Sequence, residues 1–175
     1  MSKTVITFDL SEEEIDRAIK EVETFREDFR VKVDTYRKRI AEEIAVNASL
    51  NFGSSIVNDV IKGGSPHNAE VQVSVSERGL VSVVVASGED AVWCEFGAGV
   101  YHNGSVGGSP NPYGNEVGLT IGSYGKGYGK RQAWGYYGED GGLVITRGTP
   151  ATMPMYNAVQ EVLSKSIAIA REVFG

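Results

Sequence analysis

Residues 11–50 read SEEEIDRAIKEVETFREDFRVKVDTYRKRIAEEIAVNASL, and this stretch decides the fold. Its apolar positions are Ile15, Ala18, Ile19, Val22, Phe25, Phe29, Val33, Tyr36, Ile40, Ile44 and Ala48. Apart from the neighbours Ala18 and Ile19, they recur every three or four residues, the period of one helical face. Ser11 supplies an N-cap, and Glu14 three residues later completes a capping box. Glu12, Glu13, Glu14 and Asp16 put negative charge where the helix dipole favours it. No Gly or Pro interrupts before Gly53. Forty helical residues span about 60 Å, whereas a compact domain of this length is only about 40 Å across. The helix must bend, break or project, and Phe25–Asp34, with Val31 and Val33, is where a break is expected. Its narrow stripe suits one neighbour, either a sheet that it lies across or another copy that it meets as an arm.

Working outward, Thr4–Leu10 (TVITFDL) reads as a strand, and Asn51–Gly64 as a short apolar turn or helix ending in a loop. Glu70–Ser76 alternates apolar and polar residues as a half-buried strand does. Glu77-Arg78-Gly79 is a tight turn, and Leu80–Ala86 a second, more buried strand of the same hairpin. Ala91–Phe96 fits either a short helix or a strand. Gln132–Tyr137 and Gly142–Thr146 read as strands around the turn Gly138–Gly141. Pro154 fits the first position of a final helix, with Met155, Val159, Val162, Ala170 and Val173 facing inward. The expected architecture is α+β: a small, mainly antiparallel β-sheet packed against the long N-terminal helix and a C-terminal helix. Residues 1–175 read as one domain, with a long Gly/Tyr-rich loop, 97–131, inserted between sheet elements. Fifteen of the 22 glycines lie between Gly97 and Gly142. So long a loop inside a compact domain is usually functional or disordered.

At 41% apolar and 23% charged, the composition is that of an ordinary globular chain. A net charge of −6 argues against general nucleic-acid affinity. Between Gly97 and Gly135, however, Lys126, Lys130 and Arg131 stand against Glu116 alone. Cys94 is the sole cysteine, so no intrachain disulfide framework exists. Its neighbours Val92, Trp93 and Phe96 mark it as a buried, unreactive thiol. The N-terminus lacks a secretion signal, and no stretch approaches a bilayer span. A reducing cytosol, or a particle assembled there, is the expected compartment.

Catalytic patterns are sparse. His67 and His102 are the only histidines, too few and too far from Cys94 for a zinc site. A triad drawn from Ser105 or Ser109, His102 and Glu95 has nothing to fix its geometry. Gly125-Lys126 and Gly129-Lys130 are followed by Gly and Arg, not the Ser or Thr of a phosphate loop. No catalytic, cofactor-binding or metal-binding residue is therefore assigned, and no cofactor is expected. Tyr101, Tyr113, Tyr124, Tyr128, Trp134, Tyr136 and Tyr137 invite two readings: stacking on single-stranded bases or anchoring a protein interface. The acidic chain favours protein contact, and a loop packed only on its own domain is the bland alternative. Glu95 and Arg147 each follow an apolar run, with Gly close behind. An ion pair between them, pinning the base of the loop, is the expectation.

Val92-Trp93-Cys94-Glu95-Phe96-Gly97-Ala98-Gly99, a variable loop, then Thr146-Arg147-Gly148-Thr149-Pro150-Ala151 and Pro154-Met155 form an ordered pattern. It resembles the gene-product-ten-like neck or minor tail-component proteins of long-tailed bacteriophages. That family carries a V-E-F-G-T-G box and a G-x-P-A-x-P-F box before its last helix, with a long N-terminal helix and a hairpin ahead. Glu95, Phe96, Gly97 and Gly99 match the first box, with Ala98 where Thr is usual. Pro150, Ala151 and Pro154 match the second, with Met155 where Phe is usual. The resemblance implies a non-enzymatic virion protein, assembled in the bacterial host cytoplasm, that forms a homo-oligomeric ring at the head–tail junction. Its implied partners are head-closure and tail-tube or tail-terminator proteins, with passage of DNA but neither specific nucleic-acid binding nor a membrane. Glu95, Phe96, Gly97, Gly99, Arg147, Gly148, Pro150 and Pro154 then anchor the loop. Tyr101, Tyr113, Tyr124, Lys126, Tyr128, Lys130 and Arg131 are the candidate assembly contacts. The loop is longer and richer in glycine than the family pattern. The competing classes are a small nucleotide-binding or hydrolytic enzyme using the glycine loop, and a single-strand-binding module using the tyrosines.

Overall fold

The computed structural model describes residues 5–7, 9, 11–57, 60–62, 66–97, 110–114, 116–117, 134–146 and 148–175. Among the described residues, three helices and short antiparallel strands make the fold α+β, as expected. Helix α1 runs unbroken from Glu12 to Gly53, 42 residues, or about 63 Å. The break expected at Phe25–Asp34 does not occur. Val31 and Val33 each cost only a few tenths of a kcal/mol in propensity, and nothing in the segment removes a backbone donor. The conflict between helix length and domain size is settled by projection.

Ser11 caps α1, its Oγ accepting from the Glu14 N–H at 3.4 Å. Only this half of the capping box forms. The Ser11 N–H donates to Asp9 Oδ1 at 2.8 Å, while the Glu14 carboxylate pairs with Arg17. The expected strand Thr4–Leu10 is not formed by those of its residues that are described, 5–7 and 9.

Helix α3, Pro154–Phe174, lies antiparallel along the second half of α1. Asn51 Nδ2 donates to the Pro154 carbonyl at 3.1 Å and Tyr36 Oη to the Ser166 carbonyl at 3.4 Å. Phe174 closes the seam against Tyr36 and Phe29. Ala41 and Ala48 are buried on α1; Ala158, Val162 and Ile169 are buried on α3. The buried positions of α3 thus include Ala158 and Ile169, which the sequence reading left out, while Met155, Val159, Ala170 and Val173 are partly buried.

The strands are β1 (Ile56–Val57), β2 (Val60–Lys62), β3 (His67–Asn68), β4 (Gln72–Arg78), β5 (Val81–Ser87), β6 (Trp134–Tyr137) and β7 (Leu143–Thr146). They form not one sheet but three small ones, β1-β3, β2-β7-β6 and β4-β5. All the pairings are antiparallel. Asn51–Gly64, expected as a turn or helix, instead ends α1 and contributes β1 and β2. The β4–β5 hairpin is as predicted, but its turn is Gly79-Leu80, one step later, with Arg78 opposite Val81. Gly79 takes φ 59 there, a left-handed value that favours glycine. The β5 strand is the more buried of the two, though only half-buried: four of its seven residues are partly buried, against three in β4. The hairpin lies against α1, where Arg37 reaches both Glu77 (2.5 Å) and Ser82 Oγ (2.7 Å). A compact core of Phe52, Val57, Ala91 and Cys94, flanked by Ala69, Val71, Val73, Ala86 and Met155, sits where α1 ends. Among the described residues, no helix is long and apolar enough to cross a membrane.

Candidate functional site: a junction of helix ends

Three helix termini converge on that core. The ambiguous segment Ala91–Phe96 is helical: α2 runs from Asp90 to Phe96. Its start is set by Asp90, whose Oδ2 accepts from the Glu70 N–H (3.0 Å) and lies 3.3 Å from His67 Nε2. Its end is set by Gly97, which takes φ 80 and returns its N–H to the Trp93 carbonyl at 2.8 Å. The left-handed φ explains why glycine follows Glu95-Phe96.

Helix ends leave carbonyls unpaired at the C-terminus and N–H groups unpaired at the N-terminus. Here α2 and α3 satisfy each other. The Cys94 carbonyl accepts from the N–H groups of Thr152 (2.9 Å) and Met153 (3.1 Å). In return, Glu95 accepts from the first turn of α3: Met155 N–H donates to Oε2 at 2.8 Å and Tyr156 N–H to Oε1 at 3.0 Å. These are the second and third residues of α3, the donors that a local N-cap side chain normally meets. The residue at the N-cap position is Met153, in the left-handed region (φ 55, ψ 49) and without a capping side chain. Glu95 therefore caps α3 from another helix, and Pro154, with no N–H to satisfy, fits the first helical position.

Asn111 completes the arrangement. Buried in the turn Pro110–Gly114, it donates from Nδ2 to Glu95 Oε1 at 2.7 Å, and its Oδ1 accepts from the Tyr113 N–H at 3.0 Å. Just past the end of α1, Ser55 Oγ lies 2.8 Å from Thr152 Oγ1 and donates to the Asn51 carbonyl at 2.9 Å. Gly148 takes φ 91 on the way into this corner, and Thr149 is buried beside it in sequence.

Glu95 is 8% exposed. Burial raises its carboxyl above the usual range, and the donors from Met155, Tyr156 and Asn111 only partly offset this. Cys94 is fully buried. Desolvation, with Asp90 and Glu95 nearby, pushes its thiol up to about 11. It is the inert thiol expected from its apolar neighbours.

The structure brings Glu95, Phe96, Gly97, Gly148, Pro150 and Pro154 to one region around this junction. Arg147 and Gly99 lie outside the described residues, so the expected Glu95–Arg147 pair does too. The contacts that Glu95 makes among the described residues are backbone and amide donors. Of the candidate assembly contacts, Tyr113 is half-exposed and meets Tyr156 edge-on, ring centroids 6.3 Å apart. Tyr101, Tyr124, Lys126, Tyr128, Lys130 and Arg131 lie outside the described residues, as do His102, Ser105 and Ser109. Where the loop is described at Pro110–Gly114, it packs on its own domain. Sequence reasoning missed Asn111, Thr152, Ser55 and Asn51. The signal for Asn111 was its setting in Pro110-Asn111-Pro112-Tyr113, two prolines fixing an Asn whose side chain bonds its own backbone two residues on. Among the described residues, no group of three or more His, Cys, Asp and Glu side chains is placed to hold a metal ion. No protein-family model matches the chain, and neither a curated protein nor a solved structure matches it.

Proposed function

We propose that this protein is a non-enzymatic structural subunit of a tailed-phage virion or prophage, part of the ring that joins head to tail. The observation that carries the reading is the meeting of the two boxes on which the resemblance rests. Glu95 of the first caps the helix that Pro154 of the second begins. Residues some sixty positions apart thus form one structural unit, and their joint presence has a mechanical reason. The same observation weighs against the enzymatic alternative. A buried carboxylate holding two backbone N–H groups and an amide is committed to structure, not poised as a general base.

Ring assembly needs two different surfaces that meet head to tail. The projecting half of α1 and the surface around Tyr113 are separate exposed regions that suit this requirement. In the assembled particle the neighbours are further copies of the chain and head-closure and tail-tube or tail-terminator proteins. Deletion of the gene from a phage that encodes it tests the reading. Filled heads and separate tails are expected by electron microscopy, with joining restored by adding the purified protein. Normal infectious particles from the deletion would overturn it.

A further inference from the structure

Thr4–Leu10 (TVITFDL) has the composition and alternation of a strand. Its described residues, Val5, Ile6, Thr7 and Asp9, form none, and Val5 is 67% exposed. The β4–β5 hairpin of the same chain is out of its reach. The hairpin tip stands level with Arg37 of α1, which bonds Glu77 and Ser82. From there the hairpin runs toward the end of α1, where Val73 and Ala86 pack beside Phe52. Ser11 therefore lies about 39 Å from the tip along α1, at 1.5 Å per helical residue. Seven extended residues cover only about 24 Å.

The strand β5 presents an edge without protection. Among the described residues it pairs with β4 alone, in continuous register from Val81 to Ser87. Proteins guard such edges with charge, proline or a bulge, and VSVVVAS has none of these. Strand β4, by contrast, ends in Glu77 and Arg78. The bond from Arg37 to Ser82 and the packing of Ala86 put Ser82, Val84 and Ala86 on the face toward α1. Val81, Val83 and Val85 line the other face, where Val81 and Val85 are exposed.

We propose that Thr4–Leu10 of a second copy adds to the outer edge of β5 as an antiparallel strand, with Leu10 level with Val81 and Thr4 with Ser87. In that register Ile6, Phe8 and Leu10 fall beside Val85, Val83 and Val81 on the outer face, apolar against β-branched side chains at each level. Val5 and Thr7 fall beside Ala86 and Val84 on the face toward α1. Asp9 falls beside Ser82, where Arg37 already offsets Glu77. Charge selects the direction at both ends of the strand. Antiparallel pairing carries Glu12, Glu13 and Glu14 of the incoming chain past the hairpin tip, where Arg78, Arg37 and Lys38 stand against Glu77 and Asp34. It also sets Lys3 beside Glu89 and Asp90, which follow β5. Parallel pairing would press the same glutamates against Glu89, Asp90 and Glu70, whose N–H donates to Asp90, and would take Lys3 to Arg78. Donor and acceptor surfaces differ, as a ring requires, but the pairing concerns the purified chain whether or not it joins heads to tails.

Sedimentation velocity of the full chain should show concentration-dependent association, abolished in the double variant Ile6→Pro/Thr7→Pro. Two consecutive prolines remove an N–H from each side of the strand, and circular dichroism checks that the variant is folded. Should it fold poorly, the cysteine variants decide alone. Leu10→Cys mixed with Val81→Cys should give a disulfide-linked heterodimer on mild oxidation, and Leu10→Cys mixed with Ser87→Cys should give none; Cys94 is buried and takes no part. Hydrogen exchange at alternate amides of β5 should slow as the concentration of the wild type rises, and not in the proline variant. A wild-type chain that stays monomeric throughout the micromolar range overturns the proposal. So does a Leu10–Ser87 link, which means a parallel strand. Equal protection of β5 in the folded proline variant does the same, since another part of the chain then covers the edge. Rings that persist in the proline variant would defeat this inference and leave the joining-ring reading intact. The Leu10–Val81 link in a chain without joining activity would do the reverse.

Discussion

Replacing Glu95 by Ala removes the acceptor shared by Met155 N–H, Tyr156 N–H and Asn111 Nδ2. Loss of an N-cap side chain costs about 1 kcal/mol, and each buried donor left without a partner about 1–3 kcal/mol. Two effects reduce the total: the charge no longer has to be desolvated, and water can enter the space of the lost side chain. A net loss of about 2–4 kcal/mol is expected, equivalent to a fall of about 5–15 °C in Tm for a chain of this length. Glu95→Gln should lose less. One oxygen remains to accept, but the new NH2 faces an N–H it cannot bond. Urea denaturation measures the free energy, and hydrogen exchange at Met155 and Tyr156 localises it to the first turn of α3. A loss well under 1 kcal/mol, with those two amides as protected as before, would refute cross-helix capping. The pH dependence gives a second check with a definite sign. The folded carboxyl is raised above its unfolded value, so the fold binds the proton more readily between the two. That contribution is fully present below the unfolded pKa and is lost as pH rises through the folded one. The stability of the wild type relative to Glu95→Gln should therefore improve as pH is lowered from neutrality into the carboxyl range. A difference that moves the opposite way would mean that the hydrogen bonds outweigh burial.

Cys94, held up near 11, should react with thiol reagents at pH 8 only at the rate of unfolding and freely in denaturant; fast labelling of the folded chain would contradict its burial. Gly88→Ala should destabilise severely, because φ is 142 and a Cβ would lie 2.3 Å from the Glu70 carbonyl oxygen; a melting temperature within a degree or two of wild type would refute this. Arg37→Ala should loosen the β4–β5 hairpin from α1 by removing contacts to Glu77 and Ser82. Part of that effect should fade at high salt, where exposed charge pairs are screened, and hydrogen exchange in β5 reads it.

The sequence was most informative where the determinant was local. The period of α1, its Ser11 cap, both hairpins and Pro154 at the head of α3 were all legible because each depends on residues within a few positions. The errors have physical causes. Valine's helix propensity suggested a break in α1, but a few tenths of a kcal/mol cannot interrupt a ladder with no missing donor. One sheet was expected from the order of the elements, yet the strands fall into three small sheets, and β2 pairs not with a sequence neighbour but with the distant β7. The cap of α3 was invisible because capping signals are sought at the N-cap, where Met153 offers none. The acceptor stands in α2, and nothing in the local sequence of either helix announces that they meet.

That non-local cap also changes how the two boxes should be read. Treated separately, Glu95 looks like a reactive or ion-pairing carboxylate, and Pro150–Pro154 like a rigid linker. Together they divide one task. The first box offers a carbonyl from Cys94 and a carboxylate from Glu95; the second presents N–H groups at Thr152, Met153, Met155 and Tyr156. Each set of groups would be unpaired and buried without the other. The fold therefore closes at this point whatever lies between the boxes, and Asn111 ties the turn Pro110–Gly114 of that intervening chain to the same carboxylate. If so, the charge and the hydrogen bonds of Glu95 should be separable from assembly. A Glu95→Gln chain that retains its fold should still join heads to tails below its lowered melting temperature. Loss of joining in a folded, stable Glu95→Gln protein would show instead that the carboxylate acts directly in the contact with a partner.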